Sequence, residues 1–433
     1  MSWRTRWRIR EYLRNSIWLV PGAFAVVAYL LGRIEPDPER EAAVPIQYAP
    51  EAARSLLSTL AGGMITFTGF VFSILLLAVQ FGSSQFSPRM LRRFLRDWTT
   101  KLALGVFIAT FLYSLLELRW VGLAKNPDLV PNTGVNLALF LLLASMFMFL
   151  RLIHRTTSRL RVANVLGELG RDGSKTIERA YPEPAPARAE PEPTTPLPGP
   201  VATVAYRGGP TILQSIDRDG LVKLASRQGW EVELVPAIGD LVVDGDSLFR
   251  VSGAPSEKQE RQLRRSVAIG DERTMKQDPA FAFRLLADIS IKALSPGIND
   301  PSTAIQALDQ LEALLRLIAR RRLTPGVVRD RAGVERLRWP APSWEDYLDL
   351  ALDETRQYGE GSVQVSRRLR ALLVRLADHV PDYRRPAVEA KLTLVGAGAD
   401  RGFQDRPDRA AAATSDPQGI GSSRGAWGPQ PSL

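Results

Sequence analysis

Between Arg54 and Arg89 lie thirty-four consecutive residues, Ser55 to Pro88, without a charged side chain. As a helix rising about 1.5 Å per residue, this run reaches roughly 50 Å, against roughly 30 Å of hydrocarbon in a bilayer. It is expected to cross a membrane and project beyond it. Thr59, Thr66, Ser73, Gln80 and Ser87 recur along it every seven residues, and Gly62, Gly69 and Ser83 follow the first, second and fourth of them by three. That spacing makes an a/d seam of small and polar side chains. The opposite seam, Leu57, Leu60, Met64, Phe67, Val71, Ile74, Ala78 and Phe81, is apolar throughout and suits lipid or a second helix. Two readings of the polar seam stay open: small residues let helices approach closely in a membrane, or the hydroxyls and the glutamine face a wet path.

The flanking chain extends this into a four-span membrane domain over residues 1–161, with spans at about 15–32, 55–82, 102–118 and 129–150. Arg4, Arg6, Arg8, Arg10 and Arg14 alternate with Trp3, Trp7 and Tyr12, the pattern of an interfacial anchor. No small-residue cleavage site follows the first apolar run, which reads as an uncleaved span. Arg89 to Arg96 reads as a short basic amphipathic helix at the headgroups. Glu117 falls near the far end of the third span, three residues before Trp120, and reads as an interfacial group beside Arg119. The fourth span opens with Pro131, Asn132 and Asn136. Counting Lys and Arg only, the N-terminus, the second connection and residues 151–161 carry fourteen, whereas the first and third connections carry five. The positive-inside rule then puts both termini in the cytoplasm of a multi-pass inner (plasma) membrane protein.

The remaining two thirds has a different character. A net charge of +10, from 56 basic and 46 acidic residues, would suit nucleic acid, but much of the surplus flanks the apolar runs, where topology explains it; no nucleic-acid partner is expected. The absence of cysteine excludes disulfides and thiolate chemistry. After a helical extension, eight prolines between Tyr181 and Pro200 make a semi-rigid linker, so that residues 162–200 join the membrane part to a cytoplasmic α+β domain. Residues 201–256 hold short glycine-punctuated strands, read as a small β-barrel-like module. Residues 257–395 read as a helical region, with Asp278-Pro279 and Asp300-Pro301 each placing an N-cap before a proline at the first helical position. Residues 396–433 read as a disordered tail. Gly239 to Leu248 resembles the hairpin of biotinyl- and lipoyl-type domains, but its turn offers Asp244-Gly245-Asp246 where those domains present a lysine, so no cofactor is expected.

Chemistry is sparse. The only histidines are His154 and His379, and there is no P-loop, nucleophile elbow, HExxH or metal-spaced cluster, so neither enzyme nor metal site is expected. The most distinctive run is Ala293-Leu294-Ser295-Pro296-Gly297-Ile298-Asn299-Asp300-Pro301, a polar turn leading into a helix N-terminus. Ser295, Asn299 and Asp300 make it a candidate regulatory or ligand site, with pure capping as the competing reading. Together with Phe86-Ser87-Pro88-Arg89, Ile269 to Thr274 and Gln277-Asp278-Pro279, this run resembles the bacterial membrane-protein family of domain of unknown function 2254. The resemblance implies a four-span membrane segment with a cytoplasmic domain and supplies no substrate, cofactor or catalytic residue.

The function expected is an oligomeric conduit for an ion or small solute, with Thr59, Gly62, Thr66, Gly69, Ser73 and Gln80 lining or framing it. The alternative is a non-conducting scaffold or sensor in which the same seam packs helices. Lipid and a second copy of the chain are the partners either way.

Overall fold

The computed structural model describes residues 3–85, 97–122, 129–159, 161–188, 196–323 and 326–420. They fall into two compact units, one of residues 10–161 and the other of residues 1–9 with 162–433.

The first unit is helical. Helix α1 (Trp3–Asn15) enters it, followed by α2 (Leu19–Leu31), α3 (Pro38–Ala42), α4 (Pro50–Gln85), α5 (Trp98–Glu117) and α6 (Asn132–Arg159). Helix α5 is the middle of the bundle, packed by α2, α4 and α6, and it buries Ala103, Leu104, Phe107, Ala109 and Tyr113. Small residues set the close approaches: a Cβ on Gly105 would lie 3.0 Å from the Phe24 ring, and one on Gly32 would lie 2.7 Å from Leu116 Cβ. Among the described residues, three helices are long and apolar enough to cross a membrane: Pro50–Gln80, Trp98–Trp120 and Asn132–Ser158. The first span expected from the sequence differs. Its eighteen uncharged residues are divided at Ser16–Trp18, and the apolar helix that follows, α2, has 13 residues, about 20 Å of helix. The basic stretch 89–96 lies outside the described residues.

The second unit is α/β. Helix α7 (Val162–Ala180) leads into β1 (Val201–Ala205), β2 (Thr211–Ile216), α8 (Arg218–Gln228), β3 (Val232–Leu234), β4 (Leu241–Val242), β5 (Ser247–Ser252), α9 (Glu257–Arg264) and β6 (Val267–Gly270). Then come α10 (Pro279–Ala293), α11 (Pro301–Ala319), β7 (Gly326–Arg329), β8 (Glu335–Trp339), α12 (Trp344–Tyr358), α13 (Val363–Ala377), α14 (Arg385–Gly402) and α15 (Arg406–Ala412). The described strands form two open sheets, a mixed one ordered β1-β5-β3-β8-β7 and an antiparallel one ordered β4-β2-β6, and not the barrel-like module expected over 201–256. Strands β4 and β5, which the hairpin resemblance would pair, lie in different sheets. The Asp244-Gly245-Asp246 turn carries the chain between them; Gly245, at φ 90°, donates its N–H to the Tyr206 carbonyl. Val204, Leu213, Leu221, Val232, Phe249 and Leu337 fill the core under both sheets.

The helical layer is built around α10, which buries Phe281, Phe283, Leu285, Leu286 and Ile289. Against it lies α11, whose Ile305, Leu308, Leu311, Leu314, Leu315 and Ile318 are buried, the face its periodicity predicts. The Asp278 and Asp300 side chains accept from Phe281 and Thr303 N–H as the two N-caps. One charged network is internal: Glu312, 5% exposed, takes hydrogen bonds from Arg368 and Arg375, each at 2.6 Å. Helix α14 continues past residue 396, where the sequence suggests a tail. Val395 and Ala399 are buried in it, and Gly419 packs beside Ile305 with its carbonyl accepting from the Gln364 amide. The low hydrophobicity of this stretch concealed packing done by alanine and glycine.

Candidate functional site

The two seams of α4 have different fates. Leu57, Leu60, Met64 and Val71 are buried within the helical unit, and Phe67 meets Phe107 and Phe149 edge-on at centroid distances of 5.2 and 4.9 Å. Ile74 is 38% exposed, so the apolar seam is used up to about its middle. Thr59, Gly62, Thr66, Gly69, Ser73 and Gln80 are all exposed, on the face turned away from the rest of the chain. A Cβ added at Gly62, Gly63 or Gly69 would meet no atom within 4 Å. The hydroxyls of this face bond along their own helix, Thr66 Oγ1 to the Gly62 carbonyl at 3.1 Å and Ser73 Oγ to the Gly69 carbonyl at 3.0 Å. Each hydroxyl proton is thereby committed and each oxygen keeps acceptor capacity toward whatever covers the face. The side chain of Ser83 and the whole of Ser87 lie outside the description.

At one end of the same unit the structure gathers polar groups that the spacing did not connect. Glu117 is 4% exposed. Tyr113, one turn earlier on α5, hydrogen-bonds its carboxylate, and Gly134 near the start of α6 provides the room, since a Cβ there would lie 2.6 Å from the Glu117 carboxyl carbon. A second buried acid, Glu41 of α3, accepts from Thr133 N–H at 2.7 Å at the start of α6, where the helix dipole favours negative charge. Asn132 and Asn136 tie down the loop before α4: Asn132 accepts from Tyr48 N–H at 2.9 Å and Asn136 from the Tyr48 hydroxyl at 2.9 Å. Arg119, expected beside Glu117, donates to the Gly32 carbonyl at 2.8 Å and stacks on Trp120. Between α5 and α6, Thr110 and Ser145 share a buried hydroxyl contact of 2.9 Å. Sequence reasoning missed Glu41 and Gly134. The available signal was a glycine in the first turn of a span whose partner helix ends in a carboxylate.

Ser295, Asn299 and Asp300 belong to the α/β unit and come together in one turn. The Ser295 hydroxyl donates to the Lys292 carbonyl at 2.7 Å, and the Ser295 carbonyl receives the N–H groups of Ile298 and Asn299. Asn299 takes the left-handed region at φ 48°, which asparagine tolerates better than most residues. Asp300 accepts from Thr303 twice, from N–H at 3.1 Å and from the hydroxyl at 2.5 Å. Each carboxylate oxygen thus accepts one hydrogen bond from the first turn of α11, the geometry of a helix cap.

The family model described as a predicted membrane protein, DUF2254, matches residues 14–375. The uncharacterized proteins Mb1321c of Mycobacterium bovis and Rv1290c of Mycobacterium tuberculosis are each 33% identical to this chain over 417 residues, covering 93% of it and 80% of the relative. No solved structure matches. A membrane-spanning helical unit followed by an α/β unit, matched over most of its length, makes this chain a member of the DUF2254 family of membrane proteins.

Proposed function

We propose that the chain is a homo-oligomer of the bacterial inner membrane in which each subunit turns the Thr59-to-Gln80 face of α4 toward its neighbours. In this reading the face lines a path for an ion or small solute, and the α/β unit regulates it from the cytoplasm. The observation that carries it is the division of labour on α4. The subunit covers the apolar seam with its own α5 and α6 and leaves the hydroxyl, glycine and glutamine seam bare. Within hydrocarbon, lipid is a poor partner for a glutamine amide and for the remaining acceptor sites of the hydroxyls.

The proposed topology has four crossings, with α2 as the first and both termini inside. Residues 1–9 belong to the α/β unit, where the Lys276 ammonium lies 4.4 Å from the Trp7 ring centroid. That one unit holds both residues 1–9 and the chain from Val162 onward supports an even number of crossings. Three long helices alone would leave it on the wrong side. Reporter fusions at Pro38 and Pro200 are expected to report opposite sides of the membrane; a shared side excludes this topology.

Single-cysteine substitution suits the conduit test because the chain has no cysteine of its own. Water-soluble thiol reagents are expected to label Thr59→Cys, Thr66→Cys and Ser73→Cys while sparing Met64→Cys, Phe67→Cys and Val71→Cys, with ion or solute flux in liposomes as the parallel assay. Equal protection of both sets removes the conduit and leaves the scaffold reading. That second reading has its own support: Gly62, Gly63 and Gly69 form an open strip suited to close helix contact.

A further inference from the structure

The α/β unit contains a cavity of about 470 Å³ separate from the Ser295-to-Asp300 turn, within the roughly 300–1,000 Å³ range of small-molecule sites. Its wall takes Tyr181 from the chain after α7, Arg218 from the first turn of α8, Asp278 from the cap of α10, Val327 from β7 and Trp339 from β8. Part of this wall is apolar, from Ala237, Ile238, Val327 and Pro340 to Pro342. The charged part contains four arginines, Arg218, Arg273, Arg322 and Arg329, and three acids, Glu183, Asp278 and Glu335.

The acids are already engaged. Arg273 grips Asp278 through Nε and Nη2, Arg322 donates to Glu183 at 2.8 Å, and Arg329 lies 3.7 Å from Glu335. Gln277 is held on both sides by the backbone of Ile216, and the Tyr181 and Tyr347 hydroxyls face each other at 3.0 Å. Among the described residues this leaves Arg218 as the wall cation with no acid at ion-pair distance, its neighbour in the chain Asp219 acting on it only from farther off. Its guanidinium carbon stands 4.6 Å from the Trp339 ring centroid, and its Nε is buried without a hydrogen-bond partner. Burial pulls Arg218 below the usual guanidinium range, though such a group keeps its charge at neutral pH. The ring itself is held in place, because Gly326 packs so closely on Trp339 that any Cβ there would run into it. A partly desolvated, pre-oriented cation facing an open cavity is costly unless an anion enters it.

We propose that this cavity binds a small organic anion, its carboxylate or phosphate gripped by Arg218 and its apolar body lying against Ile238, Val327 and Pro340 to Pro342. The site stands independently of whether α4 conducts. The net positive charge of the wall matches a ligand with one acidic group, and the fixed guanidinium plane matches two coplanar acceptor oxygens.

The test is calorimetric titration of the purified full chain in detergent with benzoate, phenyl phosphate and the neutral benzamide. One of the two anions is expected to saturate a single site while benzamide does not, and the anion that binds identifies the acidic group. Arg218→Gln is expected to weaken binding by about tenfold or more, with Arg218→Lys between it and the unaltered chain. Ala341→Phe, which narrows the cavity without touching its charge, is expected to weaken binding too. Absence of binding by both anions up to about 10 mM overturns the proposal. So does equal binding of benzamide, or undiminished anion binding by folded Arg218→Gln. Should Arg218→Gln fail to fold, undiminished binding by Ala341→Phe overturns it.

Discussion

Single side chains in this protein do work that is invisible from their type alone. Gly134 has no turn to make; its importance is the volume it leaves to the Glu117 carboxylate. Gly134→Ala is expected to destabilise the chain by about 1–3 kcal/mol through overpacking. In Glu117→Ala, which removes the obstacle, the same substitution is expected to cost little, and thermal unfolding in detergent of the two single variants and the double variant measures that coupling. Asp300→Ala is expected to cost about 0.5–2 kcal/mol through the lost cap; unchanged melting with altered function would favour a ligand at Ser295 and Asn299 instead. The Tyr181 hydroxyl is pushed up to about 12 by burial, against about 10 for a free tyrosine. Between those values the unfolded chain releases a proton that the folded chain keeps. This contribution to stability is therefore intact below about pH 10 and lost progressively as pH rises toward 12. Melting curves of Tyr181→Phe are expected to fall less steeply across that alkaline range than those of the unaltered chain.

At the scale of elements, what the sequence shows depends on whether packing follows a period. The apolar seam of α4, the capped starts of α10 and α11 and the buried face of α11 were legible, because one helix face or one cap writes them locally. The sheets were less so. Strands β3 and β4 are three and two residues long, too short for alternation to show, and pairings such as β3 with β8 depend on residues far apart in the chain. The division of the first apolar run at Ser16–Trp18 carried no charge to mark it. Of the candidate sites, the α4 seam was visible as a heptad, whereas Arg218 over Trp339 joins residues 121 positions apart that belong to no shared motif. Within α4, Thr66→Val removes a hydroxyl bonded only to its own helix at nearly constant volume, so assembly is expected to survive, with flux altered if the face is wet. Gly69→Leu is expected to break assembly in a scaffold that relies on close helix approach; size-exclusion chromatography in detergent separates the two outcomes.

For the molecule as a whole, the chain rejoins the α/β unit at Val162 rather than after the proline-rich linker, because Leu166, Leu169 and Ile177 of α7 are buried in it against α10 and α11. A fragment beginning at residue 162 is expected to unfold as one cooperative transition, whereas one beginning at residue 201 exposes the surface α7 covers and should melt lower or aggregate; calorimetry of both decides. The pairing of β3 with β8, Val232 beside Leu337, also bears on how the chain is made. A ribosome delivers residues in order, at roughly 5–20 per second, so β1, β3 and β5 are in existence for several seconds before the strand that completes their sheet leaves the exit tunnel. Throughout that interval β3 presents a bare edge while the hydrophobic helices upstream are already available to the insertion machinery. A nascent chain with an open edge beside freshly inserted neighbours invites pairing between copies, and the charge in the middle of that edge strand, Glu233 of β3, discourages it.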